Sequence, residues 1–242
     1  MQSTNYKLMD VFGKALLDYQ KGKYKEDIIT FSSLDEEDII PVPYLFRSYE
    51  EMPRIEQKAL QLCKGNILDI GCGAGSHSLY LQNKGKSVTA LDSSKGAIET
   101  CVLRGVKSTK NCSILDFENQ KFDTLLLVMN GIGIVGKLEF LKLYLDHFKT
   151  LLNPNGQILL DSSDIIYMFE SDADGGYWIP DSKSYYGDVE FILKYKNEKS
   201  DPFSWLYLDF NTLQKVAYDS KLRCELVSEG NHYDYLAKLT LN

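Results

Sequence analysis

The sequence NILDIGCGAGSHSLYL, residues 66–81, runs from an apolar segment through three glycines at alternate positions into an amphipathic segment. The pattern predicts a strand, a loop and a helix in succession. Gly71, Gly73 and Gly75 permit backbone angles with positive φ, and without a Cβ they let a ligand lie against the main chain. The start of the helix leaves unpaired N–H groups that point towards the same ligand. We therefore expect a ligand site at this loop.

The spacing of the glycines separates two classes of nucleotide ligand. A dinucleotide fingerprint has the form G-x-G-x-x-G. Counted from Gly71, the last position of that fingerprint is Ser76, and the third glycine comes one residue early. The spacing therefore disfavours a nicotinamide dinucleotide. A simpler alternative is that the glycines only allow the chain to turn, and the glycine motif alone does not exclude it.

Composition limits the classes of protein to which the chain can belong. It has 242 residues, of which 44 % are hydrophobic, which suits one domain, or one domain with an appendage, and a substantial core. The net charge of −7 argues against a broad nucleic-acid-binding face, although it leaves room for a local basic patch. Five cysteines without a C-x-x-C pair favour reduced thiols in the cytoplasm over a disulfide framework or a zinc site. With no signal-peptide pattern and no run of about 18 apolar residues, we expect no membrane span.

Strand and helix patterns alternate beyond the loop, which predicts an α/β fold with a doubly wound, mostly parallel sheet. A helix over 6–20, an extended connector over 32–43 and a helix over 51–63 come first. The predicted strands of the sheet are residues 66–70, 87–91, 107–112, 122–129 and 157–160, with helices at 76–84, 94–104 and 138–151. The alternation of residues 189–196 and 203–210 suggests a hairpin, followed by a helix at 212–221 and strands at 224–229 and 233–241.

Polar residues follow the predicted strands at the edge where parallel sheets bind ligands. Asp92 ends the second strand of the sheet, next to the glycine loop. A carboxylate in this place can accept hydrogen bonds from both hydroxyl groups of a ribose. The alternative is a helix N-cap, a role that Asp92, Ser93 or Ser94 could fill.

Four motifs in the same order resemble those of the class I S-adenosylmethionine-dependent methyltransferases. Residues 68–75 (LDIGCGAG) resemble motif I and residues 88–94 (VTALDSS) resemble motif II. Residues 122–127 (FDTLLL) resemble the motif IV strand, and residues 151–157 (LLNPNGQ) are similar to the L-L-x-P-G-G turn of the family. Each motif is weak alone, but the combination covers residues 66–161 and is specific.

The resemblance implies a seven-stranded sheet whose last strand is antiparallel. It also implies two regions in the chain. Residues 1–64 would form an N-terminal helical cap and lid segment, and residues 65–242 a Rossmann-like methyltransferase domain. An insertion at about 165–210, after the fifth strand, would hold the β-hairpin and a lid.

The resemblance further implies a pose for S-adenosylmethionine. The methionine part would lie along the glycine loop, and Asp69 would support that loop or reach the amino group. Asp92 and Ser93 would bind the ribose, while Asn130 and Gly131 would face the sulfonium. The loop residues implied in this pose are Gly71, Cys72, Gly73 and Gly75.

Two parts of this pose leave alternatives open. Members of the family often have an acid after the third strand, where this chain has Ser113 and Ile114, so these two residues or Asp116 would contact the adenine. Arg47, with Tyr44 nearby, would reach the carboxylate of the cofactor. Alternatively, Arg47 lies on the surface and packs its stem on a neighbouring aromatic ring.

The expected function is transfer of a methyl group to a small-molecule acceptor by in-line displacement. A sulfonium is an excellent leaving group, so alignment and exclusion of water matter more than a base. We therefore assign no catalytic residue, and two acids are too few for a metal site. The candidate bases are Asp161, Asp164, Tyr167, His77 and His232, and the aromatic segments 44–49 and 167–186 would form the substrate wall and lid or a satellite core.

The competing functions are a protein that binds S-adenosylmethionine without turnover and, less favoured, an NAD-dependent oxidoreductase. The fourth strand ends in Asn-Gly-Ile-Gly and not in the Asn/Asp-Pro-Pro-aromatic motif of enzymes that methylate amino groups of adenine or glutamine.

Overall fold

A computed structural model describes residues 10–172, 174, 176–179 and 184–242. The first part of the predicted helix 6–20 and part of the predicted lid lie outside these residues. The helices are α1 Val11–Gln20, α2 Arg54–Leu62, α3 Ser76–Asn83, α4 Lys95–Arg104, α5 Leu141–Thr150 and α6 Phe210–Asp219. The strands are β1 Ile28–Ser32, β2 Glu37–Ile40, β3 Asn66–Ile70, β4 Ser87–Asp92, β5 Thr109–Asn111, β6 Phe122–Leu127, β7 Leu152–Ser163, β8 Asp188–Tyr195, β9 Glu198–Lys199, β10 Phe203–Leu206, β11 Leu222–Glu229 and β12 Asp234–Leu241.

The main sheet has seven strands in the order β11-β12-β7-β6-β3-β4-β5. Strand β12 runs antiparallel to both of its neighbours, and the pairs from β7 to β5 are parallel. This arrangement confirms the predicted α/β fold with a doubly wound sheet of seven strands and an antiparallel last strand. The carboxyl ends of β3, β4 and β6 consequently lie side by side, which brings the predicted site segments together.

Strand β6 shows why the centre of the sheet forms where it does. Leu125, Leu126 and Leu127 are all fully buried, as expected of a parallel strand that is covered on both faces. Leu125 and Leu127 pack in the cluster that contains Phe148 of α5. Leu126 packs on the other face with residues of α2 such as Leu60. Helices on both faces therefore hold the sheet in a three-layer arrangement.

A second, antiparallel sheet has the order β10-β8-β1-β2, with β9 also paired to β8. The predicted hairpin is present as β8 and β10, but its second strand ends at Leu206 and α6 begins at Phe210. The first 64 residues are not only helical, because they supply β1 and β2. The second sheet therefore contains strands from both sides of residue 64, and the division into two regions stays a prediction.

Helix α1 lies against the start of α4. A Cβ added to Gly96 would be 2.4 Å from the carbonyl carbon of Gly13, so the two backbones touch. The Asp10 carboxylate accepts hydrogen bonds from Gly13 N (2.9 Å), Gly96 N (2.8 Å) and Ser94 Oγ (2.8 Å). Asp10 thus caps α1 and holds it beside the carboxyl end of β4.

Among the residues just described, we find no helix of sufficient length and hydrophobicity to cross a lipid bilayer. The same part of the chain has no group of three or more His, Cys, Asp or Glu side chains that could hold a metal ion.

Candidate functional site

The glycine loop lies between β3 and α3 and is tied to β4. Gly71 N and Cys72 N donate to the carbonyl oxygen of Leu91, at 2.8 and 3.1 Å. Among the residues that the structure describes, a Cβ added to Gly71 would have only Ile134 within 4 Å, and one added to Gly73 would have only Phe12, at 3.8 and 3.9 Å. Both glycines have positive φ, 73° and 52°. Their Cα atoms therefore face open space that Phe12 and Ile134 border.

Gly75 and Cys72 have a different environment from the other two loop positions. A Cβ on Gly75 would lie 2.8 Å from Cys101 Sγ, so close packing against α4 explains this glycine. The Cys72 thiol is buried, 3.7 Å from the Cys101 Sγ atom. The hydrogen bond to Cys101, together with burial, raises the pKa of Cys72 well above its usual value. Cys72 therefore offers a ligand its main chain and not its thiol.

Asp92 connects the glycine loop to α4. Its Oδ2 accepts from Gly73 N at 2.9 Å, and its Oδ1 accepts from Ser94 N at 2.8 Å. Ser94 is the N-cap of α4, because its Oγ accepts from Ala97 N at 2.9 Å. Burial raises the pKa of Asp92, and the two N–H groups partly offset this. Asp92 is thus a partly buried carboxyl group whose position is fixed by its two hydrogen bonds. Ser94, and not Asp92, caps α4. Ser93 contributes its carbonyl oxygen to the Asn111 amide, at 3.0 Å.

Asp69 lies beneath the loop, where it is fully buried and accepts a hydrogen bond of 2.6 Å from Ser78 Oγ. Burial raises its pKa.

Ser113 begins a short 3-10 turn, Ile114–Asp116, and its Oγ accepts from Leu115 N at 3.3 Å. Ile114 is buried, and its carbonyl oxygen lies 2.7 Å from His147 Nε2. One turn thus holds all three candidates for the adenine contact, Ser113, Ile114 and Asp116.

The segment after β6 has a strained backbone. Met129 and Asn130 both have left-handed φ angles, 68° and 54°, a conformation that costs on the order of 1–3 kcal/mol for a residue other than glycine. Asp161 at the carboxyl end of β7 accepts from Met129 N (3.0 Å) and Gly131 N (2.8 Å). These hydrogen bonds hold the strained turn in place. A Cβ on Gly133 would lie 1.9 Å from Trp205 Nε1, so β10 of the second sheet covers this turn closely.

The Asn130 side chain has a fixed orientation. Its Oδ1 accepts from Ser163 N and from Ser162 Oγ, both at 3.1 Å. Ser162 Oγ itself accepts from Leu208 N at 2.9 Å. Because Ser163 N can only donate, the atom facing it must be the amide oxygen. Asn130 Nδ2 is buried and has no hydrogen-bond partner among the residues that the structure describes.

Arg47 lies in a buried ionic cluster and not on the surface. Its Nη2 lies 2.5 and 2.6 Å from the two carboxylate oxygens of Glu56, and its Nη1 donates to the Tyr44 carbonyl at 2.8 Å. His77 Nε2 lies 2.7 Å from Glu56 Oε2. Burial alone would raise the pKa of Glu56, but His77 and Arg47 hold it below its usual value. Within the described part of the chain, no acceptor faces the buried Nε of Arg47.

Glu56 was not among the residues predicted from the sequence, although a signal for it was present. Glu56 is an acid on the apolar face of α2, between Ile55 and Ala59, and all three side chains are buried. A buried carboxylate requires a partner. That requirement alone would have singled it out.

The candidate bases do not form one cluster. His77 is bound to Glu56, while His232 is exposed at the turn between β11 and β12. Asp164 accepts from Tyr186 Oη at 2.8 Å and from Ile166 N at 2.9 Å. Tyr167 stacks on Tyr233, with 4.7 Å between ring centroids. We therefore still assign no general base.

Asp161 is expected to give the protein a specific dependence of stability on pH. Burial raises its pKa to about 7, from a usual value of 3.8. The folded state then holds this proton more tightly than the unfolded state. Between about pH 4 and 7, the free energy of unfolding should fall as pH rises, by up to about 1.4 kcal/mol per pH unit. Urea denaturation of the wild type and Asp161→Asn at pH 5, 6 and 7 measures this contribution.

Asp123→Asn is the matched control for this titration. Hydrogen bonds from Asn66 N and Asn153 hold the pKa of Asp123 below its usual value. Its removal should therefore leave the slope between pH 5 and 7 unchanged. Parallel pH profiles for the wild type and Asp161→Asn would contradict the assignment.

Comparison with known proteins gives matches over the region that holds the glycine loop. A family model described as a methyltransferase domain matches residues 67–156. A crystal structure of an S-adenosylmethionine-dependent methyltransferase from Bacteroides fragilis, in complex with S-adenosyl-L-homocysteine, has 43 % sequence identity and a TM-score of 0.89. That match covers 99 % of each chain.

Two curated proteins match over shorter stretches. A probable cobalt-precorrin-6B C(15)-methyltransferase (decarboxylating) from Methanococcus vannielii is 39 % identical over 67 residues, 27 % of this chain and 37 % of that protein. A ubiquinone biosynthesis O-methyltransferase from Rickettsia typhi is 27 % identical over 103 residues, 42 % of each chain. The match therefore spans less than half the length of either curated relative.

Proposed function

Because the chain belongs to the class I S-adenosylmethionine-dependent methyltransferase family, whose cofactor is S-adenosylmethionine, we propose that it transfers a methyl group from this cofactor to a small-molecule acceptor. The observation that carries the proposal is the open, glycine-lined space at Gly71 and Gly73 beside the fixed carboxylate of Asp92. The names of the two curated relatives, which act in cobalt-precorrin and ubiquinone chemistry, support an acceptor of small size.

The residues present fit the cofactor. Asp92 and Ser93 would bind the ribose, and the main chain of the glycine loop would line the methionine part. Arg47, whose Nε has no acceptor among the described residues, would donate to the carboxylate, with Tyr44 as its support. Ser113 and Ile114, or Asp116, would flank the adenine. Asp69 would stabilise α3 beneath the loop through Ser78.

Methyl transfer would require little of the protein except that it align the acceptor with the cofactor and exclude water. The bound cofactor supplies a methyl group on a sulfonium, which leaves readily as a neutral thioether. The protein would align the acceptor for in-line displacement and exclude water. Asn130 and Gly131 would lie at the sulfonium end, under the cover of β10.

The segment after β7 would form the wall of the acceptor site. Tyr167, Met168 and Phe169 line an open pocket of about 720 Å³, whose other side is lined by the turn between β1 and β2. Tyr167 and Met168 are exposed to solvent. An acceptor in that place would contact residues of the predicted lid.

The free state of all five cysteines favours a cytoplasmic location.

Calorimetry on ligand-stripped protein with S-adenosylmethionine, S-adenosylhomocysteine and NAD tests the proposal. Micromolar binding of the first two without binding of NAD would support it, and binding of NAD alone would contradict it. A transfer assay with methyl-labelled cofactor and a small-molecule library then separates an enzyme from a protein that binds the cofactor without turnover.

A further inference from the structure

We propose that Asn130 donates a hydrogen bond through Nδ2 to the atom of the acceptor that receives the methyl group, and that this atom is an oxygen. The inference rests on the proposed function, because it assigns the chemical class of the acceptor to the same site. It depends on the fixed orientation of one amide and on its position beside the glycine loop.

The hydrogen bonds around Asn130 allow only one orientation of its side-chain amide. Ser163 N donates to Oδ1, so the oxygen must face β7. Leu208 N donates to Ser162 Oγ, which leaves the Ser162 hydroxyl proton to donate to the same Oδ1. The amide nitrogen is buried, and among the described residues it has no acceptor. A buried donor without a partner in the free protein points to an acceptor atom on a ligand.

Asn130 lies where the proposed function places the transfer of the methyl group. It follows β6, which pairs with β3 directly before the glycine loop. The turn that it begins, Gly131–Val135, contains Ile134, the residue nearest to a Cβ on Gly71. Asp161 holds this turn through Met129 N and Gly131 N. A strained backbone that is fixed by a buried carboxylate is typical of a functional position.

The number of lone pairs then decides the class of acceptor. A neutral amine has one lone pair, so an amine that accepts a hydrogen bond from Asn130 cannot attack at the same time. An oxygen has a second lone pair, which can form the O–CH₃ bond while the first accepts the hydrogen bond. The electron pair of the S–CH₃ bond goes to sulfur, and a hydroxyl acceptor releases its proton to solvent. A thiol sulfur also has two lone pairs but accepts hydrogen bonds only weakly. Asn130 would therefore select a hydroxyl, phenol or carboxylate oxygen.

Sinefungin tests this arrangement without a known acceptor, because it has a charged amine in place of the S-methyl group. With no acceptor bound, that ammonium would occupy the place of the methyl group and face the Nδ2 donor, which disfavours a positive charge, so the wild type should bind sinefungin at least about tenfold more weakly than S-adenosylhomocysteine. Asn130→Asp keeps acceptors for Ser162 and Ser163 and presents an oxygen in place of Nδ2. At pH 8 it should shift the affinity ratio at least about tenfold towards sinefungin.

Asn119→Asp is the control for the change of charge. Asn119 is exposed and also has a left-handed φ, 63° against 54° for Asn130. This variant should leave the affinity ratio unchanged. The inference would be overturned if Asn130→Asp left the ratio of the two affinities unchanged, or if it lowered the affinities for sinefungin and S-adenosylhomocysteine equally. So would a wild type that binds sinefungin more tightly than S-adenosylhomocysteine. A wild type that binds neither compound would overturn the proposed function as well.

Discussion

Replacing Gly71 by alanine is expected to lower the affinity for S-adenosylhomocysteine at least about hundredfold. The new methyl group would project into the open space that Ile134 borders at 3.8 Å, where the proposal places the methionine part of the ligand. Backbone strain adds a second effect, because φ at this position is 73°. An alanine in that conformation costs roughly 1–2 kcal/mol of stability. Calorimetric titration and thermal denaturation separate the two effects.

Gly85 provides a matched control for the strain. It has a φ of 77°, and an added Cβ would have no atom of the described part of the chain within 4 Å. Gly85→Ala should therefore lose about the same stability as Gly71→Ala, while its affinity for the ligand stays at the wild-type value. Equal affinities in the two variants would show that the ligand does not lie against Gly71.

The parts of the fold that the sequence predicts are those with a strong local signal. The glycine loop and β6 are examples, because a run of apolar residues and a cluster of glycines identify them without any distant partner. Strands β1 and β2 were not predicted. Thr30 of β1 pairs with Leu193 of β8, far away in the chain, and a five-residue strand has too weak a pattern to be recognised without that pairing.

The candidate site follows the same rule. The sequence identifies Asp92 because it stands at the end of a strand next to the glycine loop. It does not reveal that Asp161 holds the turn after β6, because that role depends on N–H groups of Met129 and Gly131. The partners of Arg47 were equally hidden, since Glu56 and His77 come from two different helices. Contacts between distant segments decide what these side chains do.

Asp92→Ala is expected to lower the affinity for S-adenosylhomocysteine roughly hundredfold or more. A hydrogen bond to a charged group contributes about 1.5–3 kcal/mol, and the proposal gives this carboxylate both ribose hydroxyls. The same change releases Gly73 N and Ser94 N, which the carboxylate holds at 2.9 and 2.8 Å. Calorimetry with the ligand, together with the unfolding temperature of the free protein, measures both consequences.

Asp123→Ala controls for the loss of a structural carboxylate. Asp123 accepts from Asn66 N at 2.8 Å and from Asn153 Nδ2 at 3.0 Å. Like Asp92, it therefore holds a backbone N–H group, in this case at the start of β3. It lies on β6 before the buried leucines, at the edge of the sheet opposite to the glycine loop. Its removal should lower stability without changing affinity. If the two variants lost affinity equally, the effect of Asp92 would come from general destabilisation, and the ribose would have to bind elsewhere. If only Asp92→Ala lost affinity, the carboxyl end of β4 would be the nucleoside site.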